Sequence, residues 1–355
     1  MENFNFGELL TDALKKMGKA NIIITGKTGV GKSTLINSIF NNNLITTGVV
    51  KPITKDIREY NKDDSSVALI DTRGLELDNY KNILVDLKNE IKKRETKNAE
   101  SHIHIAWYCI NNNSRRFEDC ELEFIKELSQ KIRVVIVLTQ CIDMNEDFFN
   151  AVKTYTYGLD CQVIKVLAQP FETSLGLIPS CGLDNLVSHT IEVLPDAQKN
   201  AFARAQNICN ELKTKRAYGV VAISASAAAT AGAVPIPFSD TAVLAPIQIG
   251  MLTSISLIMG LDVNKAFITT LVTSAAGIVG ASYAGRAIVS GMLKLIPIAG
   301  SLIGGSISAV TAGALTTIMG TAFIEAINLT IQKDEKFTAE SLSKNFTMLL
   351  MNGKQ

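Results

Sequence analysis

This chain of 355 residues has almost no net charge, no paired cysteine spacing and, across one long stretch, almost no charged side chains. Each shortage excludes something. Thirty-five Lys and Arg against 34 Asp and Glu leave +1 at pH 7, so no global field draws the chain to nucleic acid or anionic lipid. The six cysteines, Cys109, Cys120, Cys141, Cys161, Cys181 and Cys209, show no C-x-x-C spacing, which argues against a zinc site or a disulfide framework and fits a reducing cytoplasm. Met1 to Phe6 mixes polar and aromatic residues, so no secretory leader is expected. The local shortage is the most telling. Between Ala217 and Thr330 the charged residues are only Asp240, Asp262, Lys265, Arg286, Lys294 and Glu325, whereas Met1 to Arg216 has ordinary charge density. The chain is long enough for two domains. The composition predicts a first domain over 1–195, a connecting helix over 196–216 with a basic end, a hydrophobic helical domain over 217–332, and an amphipathic tail over 333–355.

What is present is just as specific. Gly26-Lys27-Thr28-Gly29-Val30-Gly31-Lys32-Ser33 matches Gly-x-x-x-x-Gly-Lys-[Ser/Thr] at every fixed position. It follows the apolar run Ala20 to Ile24 and opens the amphipathic run Thr34 to Phe40. A glycine loop between strand and helix turns successive N–H groups inward at a helix N-terminus and attracts a polyphosphate. Lys32 would reach the outer phosphates and the Ser33 hydroxyl would ligate Mg²⁺. The phosphate-contacting set is therefore Gly26 to Ser33, with Thr34 behind it.

Apolar runs at Asn21–Thr25, Val67–Asp71, Ile103–Ile110, Ile132–Thr139 and Gln162–Ala168 read as strands. Between them, Ser33–Asn41, Asn79–Arg94, Phe117–Gln130, Asp147–Tyr155 and Leu183–Leu194 read as helices. That alternation predicts an α/β fold with a mostly parallel sheet covered on both faces, and ligands beyond the C-terminal strand ends. Asp56–Tyr60 reads as an antiparallel edge strand.

Asp71-Thr72-Arg73-Gly74 ends a strand about forty residues past the glycine loop. An aspartate there can hold Mg²⁺, and Gly74 can offer its N–H to a γ-phosphate. Thr54 is the choice for a threonine closing over metal and phosphate, with Thr46 and Thr47 as rivals. Lys32, Thr54 and Gly74 make up the catalytic set, and Ser33, Thr54 and Asp71 the metal set. Thr139-Gln140-Cys141-Ile142-Asp143 follows another strand. A carboxylate accepting from N1–H and the exocyclic amine tells guanine from adenine, and Asp143 is the candidate, with the Ala168 N–H for guanine O6.

Over Asn21 to about Leu194, these motifs resemble the translation-factor-class GTPases, most closely the Era-like group. The resemblance implies a P-loop NTPase G domain that binds GTP or GDP with Mg²⁺ and hydrolyses GTP to GDP and phosphate, with Thr54 in switch I and Asp71 and Gly74 in switch II. Two positions depart from the family pattern [Asn/Thr]-Lys-x-Asp and its catalytic glutamine. Gln140 stands where the lysine belongs and Asp143 comes one residue late, which weakens base reading. Leu75 follows Gly74 where many small GTPases carry glutamine, so unaided hydrolysis is expected to be slow. A GTP-binding scaffold or transport accessory without turnover, an ATPase and a ribosome-assembly GTPase stay open as alternatives; the neutral charge weighs against nucleic acid as a partner. A nucleotide-dependent homodimer is also expected. His102 and His104 lack further ligands near them in sequence and read as strand-entry residues, not a metal pair.

Four nearly uncharged runs follow: Ala217–Ser239, Thr241–Leu261, Ala266–Gly285 and Leu295–Ile324. Each reaches the length of a bilayer span, about 20 residues. Their Ala, Gly, Ser and Thr content, with Pro235, Pro237, Pro246 and Pro297, leaves little margin for insertion. Gly300, Gly304, Gly305, Ser308 and Ala312 repeat at helix-packing spacing. The wording Ala233-Val234-Pro235-Ile236-Pro237-Phe238-Ser239-Asp240, Pro246-Ile247-Gln248 and Lys294 to Gly300 resembles a hydrophobic C-terminal domain of unknown function fused to Era-like GTPases. That resemblance implies membrane association. A cytoplasmic G domain joined to membrane lipid through 217–332, by transmembrane helices or tight peripheral contact, is the expectation; a masked soluble bundle is the alternative.

Overall fold

The computed structural model describes residues 6–40, 49–54, 57–61, 66–72, 80–143, 146–174, 176–232, 240–272 and 309–352. In chain order, the first elements are α1 (Phe6–Met17), β1 (Ala20–Gly26), α2 (Lys32–Phe40), β2 (Val49–Pro52), β3 (Ile57–Asn61), β4 (Val67–Thr72), α3 (Tyr80–Glu95) and β5 (Ile105–Asn111). Then come α4 (Asp119–Ser129), β6 (Arg133–Thr139), α5 (Asp147–Tyr155), β7 (Cys161–Lys165), β8 (Phe171–Thr173), β9 (Gly176–Ile178), α6 (Leu183–Val193) and α7 (Asp196–Ala205). The last are α8 (Asn210–Gly232), α9 (Asp240–Met259), α10 (Ala309–Gln332) and α11 (Ala339–Asn352). Two compact units result: Met17–Leu212, and Met1–Lys16 with Lys213–Gln355.

In the Met17–Leu212 unit, a seven-stranded sheet runs β2-β3-β4-β1-β5-β6-β7 among the described residues. From β4 to β7 every pairing is parallel, while β2–β3 and β3–β4 are antiparallel. This is the α/β architecture the alternation predicts. The expected edge strand exists as β3, but β2 takes the edge and pairs with it. The central strands are continuous apolar runs because helices cover both faces. One face packs Ile23, Ile70, Tyr108 and Ile136 against Leu87 of α3 and Phe124 of α4. On the other, Trp107 stacks on Phe40 at 6.0 Å and meets Phe202 of α7 edge-on at 6.2 Å. The Trp107 indole N–H donates to Thr190 Oγ1 at 3.2 Å, so its polar atom is satisfied in the core.

The expected connecting helix is two helices. α7 packs into the first unit, with Ala201, Phe202 and Ala203 buried. The chain then breaks at buried Gln206, whose Oε1 accepts from the Ile208 and Cys209 N–H groups and whose Nε2 donates to Cys209 O at 2.8 Å. One amide side chain thereby supplies the hydrogen bonds that helical backbone would have made.

His104 and His102 sit just before β5 and tie it to β1. His104 Nδ1 accepts from the Asn21 N–H at 3.0 Å, and the Asn21 amide donates to Glu100 O and His102 O. Burial pushes the His104 pKa down to about 4, so the ring is neutral. Among the described residues no cluster of three or more His, Cys, Asp or Glu could hold a metal ion.

The second unit is helical. Val221, Met251, Leu252, Ile255, Phe323 and Ile327 form its core with Leu342 and Phe346 of α11, and Leu9 and Leu10 of α1 pack against it. The Phe323 and Phe346 rings meet edge-on at 5.4 Å. The tail thus folds back as a helix, although Phe337 stays exposed. Helix backbones approach closely at Gly320, where a Cβ would lie 2.6 Å from Val221 Cγ2 and 2.9 Å from Met251 Sδ. One described helix, Val310–Gln332, is long and apolar enough to cross a membrane, with 44% of its most apolar window buried. Leu244–Met259 is a shorter apolar helix, and a further helical stretch covers 265–272. The Pro235–Ser239 corner, Gly300, Gly304, Gly305 and Ser308, and residues 273–285 and 295–308 of the third and fourth apolar runs lie outside the described residues.

Candidate functional site

The site grows from the C-terminal end of β1. Gly26 has φ +137°, and a Cβ there would lie 2.2 Å from Cys109 O of the neighbouring strand. No other residue fits that position. Gly29 and Gly31 also have positive φ, +77° and +94°, and they shape the loop before α2 begins at Lys32. The Leu35 N–H donates to Gly31 O at 3.0 Å, which starts the helix. The N–H groups ahead of it have no intrahelical acceptor and face outward from the helix end. Lys32 Nζ curls back onto the loop and donates to Gly26 O at 2.8 Å and Lys27 O at 2.9 Å. Ser33 and Thr34 are exposed on the first turn of α2, and Val30 is buried.

Lys27 is held away from the loop's centre. Its ammonium lies 2.8 Å from Glu118 Oε1 and 3.3 Å from nearly buried Glu121 Oε2, at the start of α4. Burial works against the Lys27 charge, but these carboxylates outweigh it and raise its pKa above the ordinary value. Glu121 is fixed in turn, since its Oε2 accepts from the Glu118 N–H and its Oε1 from Tyr108 Oη at 3.2 Å.

Asp71 is the penultimate residue of β4, next to β1 in register with Ile24. Burial lifts its carboxyl to a pKa of about 6 against the opposing charges of Lys32 and Arg58. Its Oδ1 is buried with no hydrogen-bond partner. A buried, unsatisfied carboxylate oxygen beside the glycine loop fits a divalent cation, which supplies the missing charge. Thr54 lies in the turn between β2 and β3, where its N–H donates to Ile57 O at 3.2 Å; Ile57 in turn pairs with Thr72. The backbone therefore brings Thr54 to the same end of the sheet as Asp71. Thr72 Oγ1 donates to Thr25 Oγ1 at 2.8 Å and locks β4 to β1 below the loop. Gly74, Leu75, Arg73, Thr46 and Thr47 lie outside the described residues.

The end of β6 braces the loop from behind. The Thr139 hydroxyl reaches both Val30 O and, at 3.1 Å, Ile110 O. Gln140, with φ +56°, directs Nε2 toward Gly29 O at 3.5 Å, and its Oε1 accepts from Asn111 Nδ2 at 3.3 Å. Asp143 lies on the solvent side of this segment, where Arg115 Nη2 donates to its Oδ2 at 3.0 Å. Ala168 follows β7, with Leu167 bridged to Cys181 and the Cys141 N–H donating to Val166 O at 3.2 Å. These backbone bonds bring the segments of Asp143 and Ala168 side by side. The motif pattern did not reveal Asn111, Arg115, Glu118 or Glu121. They touch the site through the tertiary fold, and no spacing marks them.

Residues 21–140 match the family profile described as a 50S ribosome-binding GTPase, and residues 197–350 match a domain of unknown function, DUF697. Septin-8 of Xenopus tropicalis is 28% identical over 148 residues, covering 34% of this chain and 33% of that protein. Septin-8 of Mus musculus is 23% identical over 179 residues, 42% of this chain and 40% of that protein. The chain thus spans about a third to two fifths of the length of these curated relatives. Among solved structures, the septin GTPase domain from Chlamydomonas reinhardtii is 14% identical with a TM-score of 0.31, covering 52% of this chain and 89% of that one. The G domain of the T. maritima FeoB iron transporter is 12% identical, also with a TM-score of 0.31, covering 49% and 98%. From motif, sheet order and profile together, the chain carries a P-loop GTPase domain followed by a DUF697 domain.

Proposed function

We propose that this protein is an Era-like guanine-nucleotide switch whose hydrolysis is slow unless a partner or a lipid surface stimulates it. The observation that carries the reading is the buried, unpartnered Asp71 Oδ1 beside a glycine loop of positive-φ residues. The N–H groups from Gly29 to Thr34 would cradle the β- and γ-phosphates. Lys32 would leave the Gly26 and Lys27 carbonyls for the phosphate oxygens and offset charge that develops on them. Ser33, Thr54 and Asp71 would hold Mg²⁺, which when bound neutralises phosphate charge. Gly74 would complete the γ-phosphate contacts. Thr139 and Gln140 brace the loop, Asp143 would read the base edge, and the Ala168 N–H would donate to guanine O6. Thr54 and Gly74 would order on GTP and release on hydrolysis.

The apolar second unit would be what the switch controls, seated in or on a membrane through 217–332. Val310–Gln332 supports this by length and composition. A nucleotide-dependent homodimer is the second partner we propose. Phosphate release with and without liposomes tests the switch. The reading predicts slow release alone and faster release with lipid or at high protein concentration; the absence of any GTP-dependent release would overturn it. Carbonate extraction separates insertion from peripheral contact. An ATP-binding reading draws on one observation, the engagement of Asp143 by Arg115. Competition of ATP and GTP for a fluorescent guanine nucleotide decides between them, and Asp143→Asn should gain xanthine preference if Asp143 reads guanine.

A further inference from the structure

We infer that the helical unit enters lipid end-on. The end built from 219–232 and 309–320 goes in, and the Tyr218–Glu325 contact stays at headgroup level. This rests on the reading of 217–332 as membrane-seated, and it fixes which end inserts and how far.

Three described helices of the unit share one polarity. α8 and α10 run antiparallel. Thr214 Oγ1 donates to Asn328 Oδ1 at 3.2 Å and Tyr218 Oη to Glu325 Oε1 at 2.6 Å, and farther along a Cβ on Gly313 would lie 3.2 Å from Ala225 O. α9 runs the same way as α10, with Gln248 Nε2 3.5 Å from Thr316 Oγ1 and Met251 beside Gly320. These contacts gather the charges at one end. Glu211, Lys213, Lys215 and Arg216 open α8, and Asp262 and Lys265 follow α9. Glu325 lies in α10, and the four charged residues Lys333 to Lys336 follow it. α11, with exposed Glu340 and Lys344, folds back over this end and sets Asn345 on Thr330 and Phe346 on Phe323.

The opposite end is uncharged. Residues 219–232, 241–261 and 309–324 contain no Asp, Glu, Lys or Arg, and Asp240, the first residue of α9, stands at the far tip. The outward face of α8 there is Ala222, Ile223, Ser226, Ala227 and Thr230. Ile223 is 73% exposed, and Val310 of α10 is 65% exposed. A helix facing water carries charged or polar groups on its outer side, and this one carries none that is charged. In lipid the same face fits, because helical backbone bonds are all internal. Glu325 limits the depth, since a carboxylate is expensive in hydrocarbon, and Tyr218 is the amphipathic ring suited to that boundary. From Glu325 to Ala309 α10 rises about 24 Å, against a hydrocarbon core about 30 Å thick. The uncharged end therefore passes the bilayer midplane and brings Asp240 close to the far headgroups.

The test is tryptophan scanning of the full chain on phosphatidylcholine vesicles, with and without brominated acyl chains, in GDP, in GTP and without nucleotide. Trp107 is fully buried in the sheet unit and gives the same background in every variant. Ile223→Trp and Val310→Trp should shift to the blue on vesicles and be quenched by bromine. Phe337→Trp, at an exposed position of the charged end, should do neither. Ile223→Glu combined with Val310→Glu should cut vesicle recovery in flotation about tenfold or more, and Phe337→Glu should leave it unchanged. Melting followed by circular dichroism should match wild type, because all three positions are exposed; the tryptophan readout decides whatever the glutamate pair does to folding. If the wild type floats with vesicles while Ile223→Trp and Val310→Trp stay unquenched, the end-on orientation is wrong, and another surface binds or residues 273–308 or a second copy cover this end. If the wild type never floats in any nucleotide state, the membrane reading itself is wrong and the orientation falls with it.

Discussion

Replacing Asp71 by asparagine should stabilise the nucleotide-free protein while destroying its Mg²⁺ response. The carboxyl titrates at about 6 in the fold against an ordinary value of 3.8, because burial disfavours its charge. Between those values the folded chain keeps a proton that the unfolded chain has released. Stability therefore falls as pH rises from about 4 to 6 and stays at the lower level above that window. A shift of about two units corresponds to about 3 kcal/mol at neutral pH, an upper figure for a site open to some solvent. Asp71→Asn has no charge to bury, so its advantage should be near zero below pH 4 and grow to at most about 3 kcal/mol above pH 6. His104 pulls the other way. Its pKa is lowered to about 4, so its contribution rises with pH up to its ordinary 6.5, but it is common to both proteins and cancels in the difference. The assay is urea unfolding in chelator at several pH values. It can be followed by Trp107, the one tryptophan of the chain and fully buried in the sheet unit. Mg²⁺ with GDP should protect the wild type and not the variant. An Asp71→Asn protein no more stable than wild type at pH 8, or an advantage that does not change with pH, would refute the reasoning.

Other outcomes follow from single contacts. Gly26→Ala forces a Cβ to 2.2 Å from Cys109 O at φ +137°; the backbone strain alone should cost about 1–3 kcal/mol and abolish nucleotide binding in a filter or fluorescence assay. Thr139→Val leaves Val30 O and Ile110 O without their hydroxyl donor, costing about 1–3 kcal/mol and speeding dissociation of a fluorescent GDP. Gly320→Val drives a side chain into Val221 and Met251 and should cost about 1–3 kcal/mol, read as a lower helix-melting temperature by circular dichroism with GDP affinity unchanged. Lys27→Ala takes the cation from buried Glu121 and from Glu118, whose carboxyl it holds below the ordinary 4.5; the variant should melt lower at neutral pH, and the deficit should shrink as pH falls below 4.5, checked by thermal melts across that range.

The linear order of the chain carried the strand–loop–helix motif, the alternating elements and the break in charge density near residue 216. Those are local properties. Strand and helix periods, glycine spacing and charge counts need no knowledge of what lies across the sheet. The amphipathic pattern of the tail over 333–355 is local too, yet Phe337 within it is exposed, because only the partner surface decides which apolar side chains find cover. Local pattern also made 196–216 one helix. Gln206 ends that helix through its own side-chain bonds, and helical periodicity cannot register such a stop.

Tertiary structure decided what each site residue touches. The glycine loop of Gly26 to Ser33 is written in the sequence because a φ of +137° with a strand carbonyl 2.2 Å from any Cβ admits only glycine at Gly26. The clamp on Lys27 by Glu118 and Glu121, the brace from Thr139 to Val30, the orphaned oxygen of Asp71 and the hold of Arg115 on Asp143 are not written there. They join residues up to about a hundred positions apart, which only the parallel sheet brings to one end. Sequence separation carries no trace of such contacts, because desolvation and charge pairing depend on distance through space and not along the chain.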